Sequence, residues 1–312
     1  MLFIRYQRGM TNYTAAIELL SAGELIGLPT ETVYGLAADA TNADAVAKIF
    51  ALKNRPQFNP LIAHVGSMDM ALAQAEFSGK ALQLAKAFWP GPFTMVLPKS
   101  ASNTICDLAR AGLDTQALRF PAHPVAQAVI AAFGKPIAAP SANISGHVSP
   151  TSAQHVKDEF GANLSLVLDG GSARIGLEST VVAVLHDEVT LLRPGSVSKN
   201  DIENVVGKIG SSLHNDNAPK SPGMLSRHYS PEARLRLNVT SPEADEAYLG
   251  FGPTAVKTTL SLSETGKLTE AASNLYAMIR ELDKTHDAIA VAPIPEDGIG
   301  AAINDRLRRA AL

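Results

Sequence analysis

The sequence predicts an α/β protein of two unequal parts, because two stretches of alternating strand and helix patterns flank one polar interruption. Short apolar runs alternate with helical periodicities through residues 15–207, and the same alternation resumes, shorter, from residue 234. Between them, residues 211–221 are rich in Asn, Asp, Pro and Lys and have no periodicity, which reads as a linker. A chain of 312 residues also suits about two domains better than one. We place the boundaries at 1–208, 209–231 and 232–312.

In order, residues 15–22 carry a helical pattern and 24–28 a strand that stops at Pro29. Residues 43–53 form the clearest helix, with Val46, Ile49, Phe50 and Lys53 spaced by three or four, and it ends before Pro56, which has no amide proton for the ladder. Apolar runs at 61–65, 93–97, 116–120, 136–139, 164–168, 180–185 and 189–192 read as buried strands. Helical patterns at 80–88, 124–133 and 152–159 lie between them. In the second part, strands are expected at 234–239, 247–251 and 288–292, and helices at 268–282 and 300–310.

Composition narrows the function classes. Apolar residues make up 46% of the chain and charged ones 18%, enough to bury a core and unlike a disordered segment. A net charge of −3 argues against a large phosphate-backbone interface, although a local basic pocket is compatible with it. The single cysteine, Cys106, has no partner for an intramolecular disulfide or a zinc knuckle and fits a reducing cytoplasm. No apolar run reads as a membrane span, and the first ten residues, broken by arginine, do not read as a signal peptide.

Residues able to do chemistry gather in the turns between strands. Lys53 and Arg55 flank Asn54 at a helix end; they read either as a solvated terminus or as a grip on phosphates, a point charge beside a planar fork. Ser141 and Asn143, just after an apolar strand, read as ordinary turn chemistry or as ligand contacts at a sheet edge. His64 ends an apolar strand and by itself reads as a core histidine. Arg119 lies inside one, so it needs a partner: a buried ion pair, with Glu31 or Glu178, or a ligand carboxylate. The same two glutamates could help to hold a metal. No glycine-rich dinucleotide fingerprint, phosphate-binding P-loop, nucleophile elbow or Cys/His metal array is present.

Taken together and in order, PTETVYGLAADA from Pro29, KNRPQFNPLIAH from Lys53, WPGPFTMVL from Trp89, GLDTQALRFP from Gly112, IAAPSANISGHVSPT from Ile137, LDGG from Leu168, ESTVV from Glu178 and LLRPG from Leu191 resemble the YrdC family, specifically the threonylcarbamoyl-AMP synthases. SPGMLSRHYSP from Ser221 is similar to the linker of their long, two-domain form. The resemblance implies a twisted mixed sheet around a concave cationic cavity, plus a smaller C-terminal α/β, Rossmann-like domain. It implies that L-threonine and bicarbonate or CO2 form N-carboxythreonine, which attacks the α-phosphate of ATP with Mg2+ assisting. The products are threonylcarbamoyl-AMP and pyrophosphate, and a separate tRNA threonylcarbamoyl transferase complex consumes the former. Direct tRNA binding stays open.

By the same resemblance, Lys53, Arg55, Asn59, Thr115, Ser141, Ser149 and Arg193 fall on the ATP side, with Asn143 completing the Ser-x-Asn motif among the catalytic residues. Thr30, Thr32, His64, Arg119, Ser179 and the backbone of Ala139 fall on the threonine side. Tyr229, in the linker, is expected to close over the nucleotide, so that the linker acts as a lid. Metal ligands are not identified. The competing readings are an RNA-binding module, another carbamoyl-transfer protein, or a regulatory nucleotide binder without turnover. A carbamoyltransferase of the hydrogenase-maturation type would carry zinc-binding cysteines, which this chain lacks.

Overall fold

The structure is a computed structural model and describes residues 13–212 and 229–312. Most of the expected linker, and so most of the expected lid, lies outside the described residues.

The first part runs α1 (Thr14–Ser21), β1 (Ile26–Leu28), β2 (Gly35–Asp39), α2 (Ala43–Leu52), β3 (Ala63–His64), α3 (Met68–Gln74), α4 (Gly79–Phe88), β4 (Phe93–Pro98), β5 (Thr115–Arg119), α5 (Pro124–Phe133), β6 (Ile137–Ala138), α6 (Ala153–Phe160), β7 (Thr180–Leu185), β8 (Glu188–Arg193), α7 (Lys199–Val206) and β9 (Gly210–Ser211). Its strands form one mixed sheet of nine, in the order β1-β2-β6-β3-β5-β4-β7-β8-β9. The second part runs β10 (Arg234–Arg236), β11 (Ala247–Gly250), β12 (Leu260–Ser261), α8 (Leu268–Asp283), β13 (Ala288–Val291) and α9 (Gly300–Ala310). Its four strands are all parallel, in the order β10-β13-β11-β12. The α/β class and mixed sheet expected from the sequence are therefore present.

Local chemistry accounts for the main boundaries. Asn42 caps α2, its side chain accepting from the amides of Asp44 and Ala45, and the helix ends where Asn54 turns left-handed at φ 50°, a conformation that asparagine tolerates. Elements without a strong signal went unforeseen. β2 is Gly-Leu-Ala-Ala-Asp, with no β-branched residue. α3, α7, β9 and β12 are short pieces ordered by their neighbours. The run at 164–168 lies beside β1 through a single bridge, Gly27 to Val167, and is not a laddered strand, because β1 offers it only the Gly27 amide and carbonyl.

The larger apolar core packs α2 (Val46, Ile49, Phe50), α4 (Leu84) and α6 (Val156, Phe160) on one side of the sheet. A second cluster joins α1 and α5 to β1 and β6. The core of the second part does not stop at its own boundary: Tyr229, Leu275 and Tyr276 share a buried cluster with Val33, Val148 and Leu177 of the first.

Register places the polar side chains. His64 pairs with Arg119, Arg119 with Thr94, Thr94 with Val181, and Val181 with Arg193. Paired residues on neighbouring strands share a face, which sets Thr94 and Arg119 on one side, and an irregularity in the β7–β8 pairing between Val181 and Val182 turns Arg193 to that side although Leu191, two residues before it, joins the larger core. Three strand spacings separate them, about 14 Å. The Pro194–Gly195 turn then closes tightly on β7: a Cβ at Gly195 would lie 2.4 Å from the Thr180 amide nitrogen. We expect Gly195→Ala to lose about 1–3 kcal/mol of unfolding free energy in urea melts, since backbone must shift. Gly79→Ala, where an added Cβ meets nothing within 4 Å, should hold or gain stability.

Candidate active site

A cleft opens over His64, Arg119 and Arg193 of this rung and the turns beside them. Its lining includes ten of the residues expected from sequence: Thr30, Thr32, Arg55, His64, Arg119, Ala139, Ser141, Ser179, Arg193 and Tyr229. Val33, Gly35, Ile62, Pro140 and Glu178 complete it. Lys53, Asn59, Thr115, Asn143 and Ser149 do not line it.

At one end, the strand β5 delivers Arg119 and the turn after β1 delivers Thr30, Glu31 and Thr32. Arg119 Nη1 donates to Thr32 Oγ1 at 2.8 Å and Nε to the Gly91 carbonyl at 3.2 Å. Nη2 lies 2.6 Å from Glu31 Oε1, with both side chains buried. So the partner that Arg119 requires is Glu31, and Glu178 is engaged elsewhere. Burial alone would raise the Glu31 carboxyl, but the Arg119 charge beside it holds it below the usual carboxylate range. At Nη2 the approach is an ion pair whose angle misses hydrogen-bond alignment. Thr30 Oγ1 sits 2.8 Å from Thr32 Oγ1 and donates to the Val33 carbonyl.

His64 is buried beside Arg119, and both facts push its pKa down, to about 3, burial contributing most. The ring is neutral at physiological pH, and its Nδ1 has no hydrogen-bond partner among the described residues. It can therefore serve as a neutral donor or acceptor toward a ligand, not as a cation.

At the other end stand Arg193, from the end of β8, and Arg55, from the turn after α2. Arg193 donates from Nε and Nη2 to the Ser179 carbonyl at 3.1 and 3.0 Å. Ser179 Oγ is 2.7 Å from Thr94 Oγ1, so the rung is tied from strand to strand. Arg55 donates to the Asn59 and Pro60 carbonyls at 3.3 and 3.2 Å, and burial lowers its pKa to about 10, which leaves it charged. Tyr229, at φ 67°, packs its ring on Tyr276 with centroids 5.7 Å apart.

The five remaining residues stand behind or beyond this lining. Lys53 is 1% exposed and its ammonium donates to the carbonyls of Ser141, at 2.6 Å, and Asn143. Burial first, and the Arg55 charge second, press its pKa well below the usual lysine range. The Lys53–Arg55 pair is thus divided: Arg55 faces the cleft, and Lys53 tethers the turn that presents Ser141. Asn143 holds that turn from within, Nδ2 donating to the Ile144 and His147 carbonyls. Ser149 donates to Glu178 Oε1 at 2.5 Å. Thr115 begins β5, four residues from Arg119 and so about 13 Å along the strand. Asn59 is fully buried, and neither amide atom has a partner among the described residues. Unpaired buried amides are costly, and no described residue meets this one.

Sequence reasoning missed what the second part contributes. Tyr276 and Arg306 both reach Glu178, Tyr276 Oη at 3.0 Å and Arg306 Nε at 2.8 Å from Oε2. In sequence each looks like one more residue of an amphipathic helix, and only the packing reveals its burial. Thr94 was also overlooked, inside an apolar strand. A resident metal does not fit these residues: Glu31 and Glu178 are committed to arginines, and no group of three His, Cys, Asp or Glu among the described residues is arranged to hold an ion.

The His64 environment gives a pH signature. With the folded pKa near 3 and the ordinary value at 6.5, the stability it contributes is present above pH 6.5 and is lost as pH falls toward 3. We expect the stability of the parent protein to fall between pH 6 and 4 more steeply than that of His64→Gln, by about 1.4 kcal/mol per pH unit. Denaturant melts across that range measure the difference.

Comparison with known proteins agrees with this architecture in both parts. Residues 18–195 match the family model Sua5_yciO_yrdC, described as telomere recombination, and residues 197–312 match the one described as the threonylcarbamoyl-AMP synthase C-terminal domain. The threonylcarbamoyl-AMP synthase of Pyrococcus abyssi is 39% identical, over 95% of this chain and 93% of its own length. That of Bacillus subtilis is 40% identical, over 95% and 92%. The crystal structure of P. abyssi Sua5 complexed with L-threonine superposes with a TM-score of 0.87 and 38% identity, covering 95% of this chain and 93% of that one. Escherichia coli YciO shares the fold, with a TM-score of 0.52 at 22% identity over 58% of this chain and 87% of its own. With matches of that breadth spanning both parts, the chain belongs to the threonylcarbamoyl-AMP synthase family.

Proposed function

We propose that the cleft binds L-threonine and ATP and joins them, through bicarbonate or CO2, into threonylcarbamoyl-AMP with release of pyrophosphate. The observation that carries this reading is the placement of arginines at two ends of one sheet face: Arg119 at one, Arg193 and Arg55 at the other. Such a cleft suits two anions that must react with each other. The relative solved with L-threonine supports an amino acid at one of these ends.

At the threonine end, the Arg119 fork takes the substrate carboxylate, steadied by Thr30, Thr32, neutral His64, Ser179 and the Ala139 backbone. At the nucleotide end, Arg55 and Arg193 face the phosphates, with Ser141 from its tethered turn and Tyr229 against the nucleotide. The adenosine reaches toward Asn59 and Thr115. Lys53, Asn143 and Ser149 act by holding that wall in place. Magnesium belongs with the triphosphate as part of the substrate.

The chemistry balances without an acid–base pair of the protein. The threonine amine, as its free base, adds to CO2 and gives a carbamate, and the proton lost from nitrogen passes to solvent bicarbonate or water. One carbamate oxygen forms a bond to the α-phosphorus, the bond from that phosphorus to the bridging oxygen breaks, and pyrophosphate leaves with the electron pair. Fixed cations offset charge on the phosphates, and a water-poor cleft protects the labile carbamate. The product is the activated form that a tRNA threonylcarbamoyl transferase complex would consume, in the reducing cytoplasm that a single cysteine suits.

Pyrophosphate release from ATP tests the reading. We expect release to require both L-threonine and bicarbonate, and Arg55→Ala to lower kcat/KM for ATP by about a hundredfold. Release that ignored threonine, or an Arg55→Ala variant with full activity, would refute it.

A further inference from the structure

Glu178 lines the cleft, yet its charge is met from the second part of the molecule. Its Oε2 accepts from Arg306 Nε at 2.8 Å and from Tyr276 Oη at 3.0 Å, while Oε1 accepts from Ser149 at 2.5 Å. Arg306, on α9, is 1% exposed. Its single guanidinium has other engagements too. Nη2 donates to the Pro194 carbonyl at 2.9 Å, next to Arg193. Its central carbon stands 5.3 Å from the middle of the Tyr229 ring. Nη1 meets Asp305, which also receives Arg309.

One side chain from the C-terminal helix thus touches three pieces of the nucleotide end. We propose that Arg306 is a positioning residue for nucleotide binding: it neutralises Glu178 in the cleft wall and fixes the Arg193 turn and the Tyr229 ring. The inference rests on the reading of the cleft given above. The physical ground is simple. A carboxylate in a low-dielectric wall repels phosphates, and Arg306 cancels that charge. A guanidinium can serve a carboxylate, a carbonyl and an aromatic face together because its donors lie in one plane, which an ammonium cannot match. Arg306 does not line the cleft and acts through the groups it holds.

The test measures KM for ATP and for L-threonine, by pyrophosphate release from the full chain, in Arg306→Met, Arg306→Lys and Glu178→Gln/Arg306→Met. We expect Arg306→Met to raise KM for ATP about tenfold or more while KM for threonine stays within about twofold. Arg306→Lys should fall between, and the double variant should recover most of the loss, because the repelling charge is gone. An unchanged KM for ATP in folded Arg306→Met, an equal rise for both substrates, or a double variant no better than the single one would each overturn the proposal. If Arg306→Met does not fold, the double variant decides: KM for ATP within about threefold of the parent supports it, and a tenfold rise overturns it. If the parent itself releases no pyrophosphate with threonine, the functional reading fails instead. Calorimetric binding of a non-hydrolysable ATP analogue to the same proteins then reads the Arg306 effect separately.

Discussion

Everything in the cleft depends on strand register. The rung from His64 through Arg119, Thr94 and Val181 to Arg193 crosses five strands, and strand side chains alternate with a period of two. A slip of one residue in β3, β5, β4 or β8 would turn its polar group to the opposite face, into the apolar core. The register is held by burial: Met95, Leu118 and Val182, the neighbours in sequence, fill the larger core on the other side. The same apolar pattern that stabilises the sheet therefore sets the distance between the two arginine ends.

The second constraint is the burial of charge. Few groups here can afford to be alone in so dry a wall, and each charged side chain has company. Arg119 has Glu31, Glu178 has Arg306, and Lys53 and Arg55 have backbone carbonyls. Removing one member of such a buried pair typically costs about 3–5 kcal/mol because the other is stranded. This explains why neutral substitutions in the cleft need care: loss of activity can report an orphaned partner rather than a lost ligand contact. It also explains how the two parts of the chain act together. Arg280, on α8, pairs with Glu159, whose carboxylate accepts from the Ile144 amide in the turn that presents Ser141.

Much of this was legible in the sequence, and the exceptions have physical causes. Helices with strong periodicity, such as α2, α5 and α9, were readable almost to the residue, the first two with caps as well, and so were β4, β7 and β8, whose apolar runs are long. β2 was hidden because alanine and glycine carry little strand signal. The cleft was legible as a set of motifs, and ten of its lining residues are ones those motifs assign to it. Lys53 could not be placed correctly from its neighbours, since whether a lysine faces a cavity or a carbonyl depends on the turn at Asn54. The requirement that Arg119 have a partner was readable, but choosing Glu31 over Glu178 needed the fold. Arg306 gave no signal at all, because a buried arginine and an exposed one look alike in a polar helix.

The central claim is that the two arginine ends of one sheet face receive the two reacting anions separately. A crystal structure of the protein with L-threonine and a non-hydrolysable ATP analogue measures this most directly. The account predicts the threonine carboxylate on Arg119 and the phosphates facing Arg55 and Arg193, with the threonine nitrogen between them. Phosphates bound at Arg119, or a threonine carboxylate at Arg193, would contradict it.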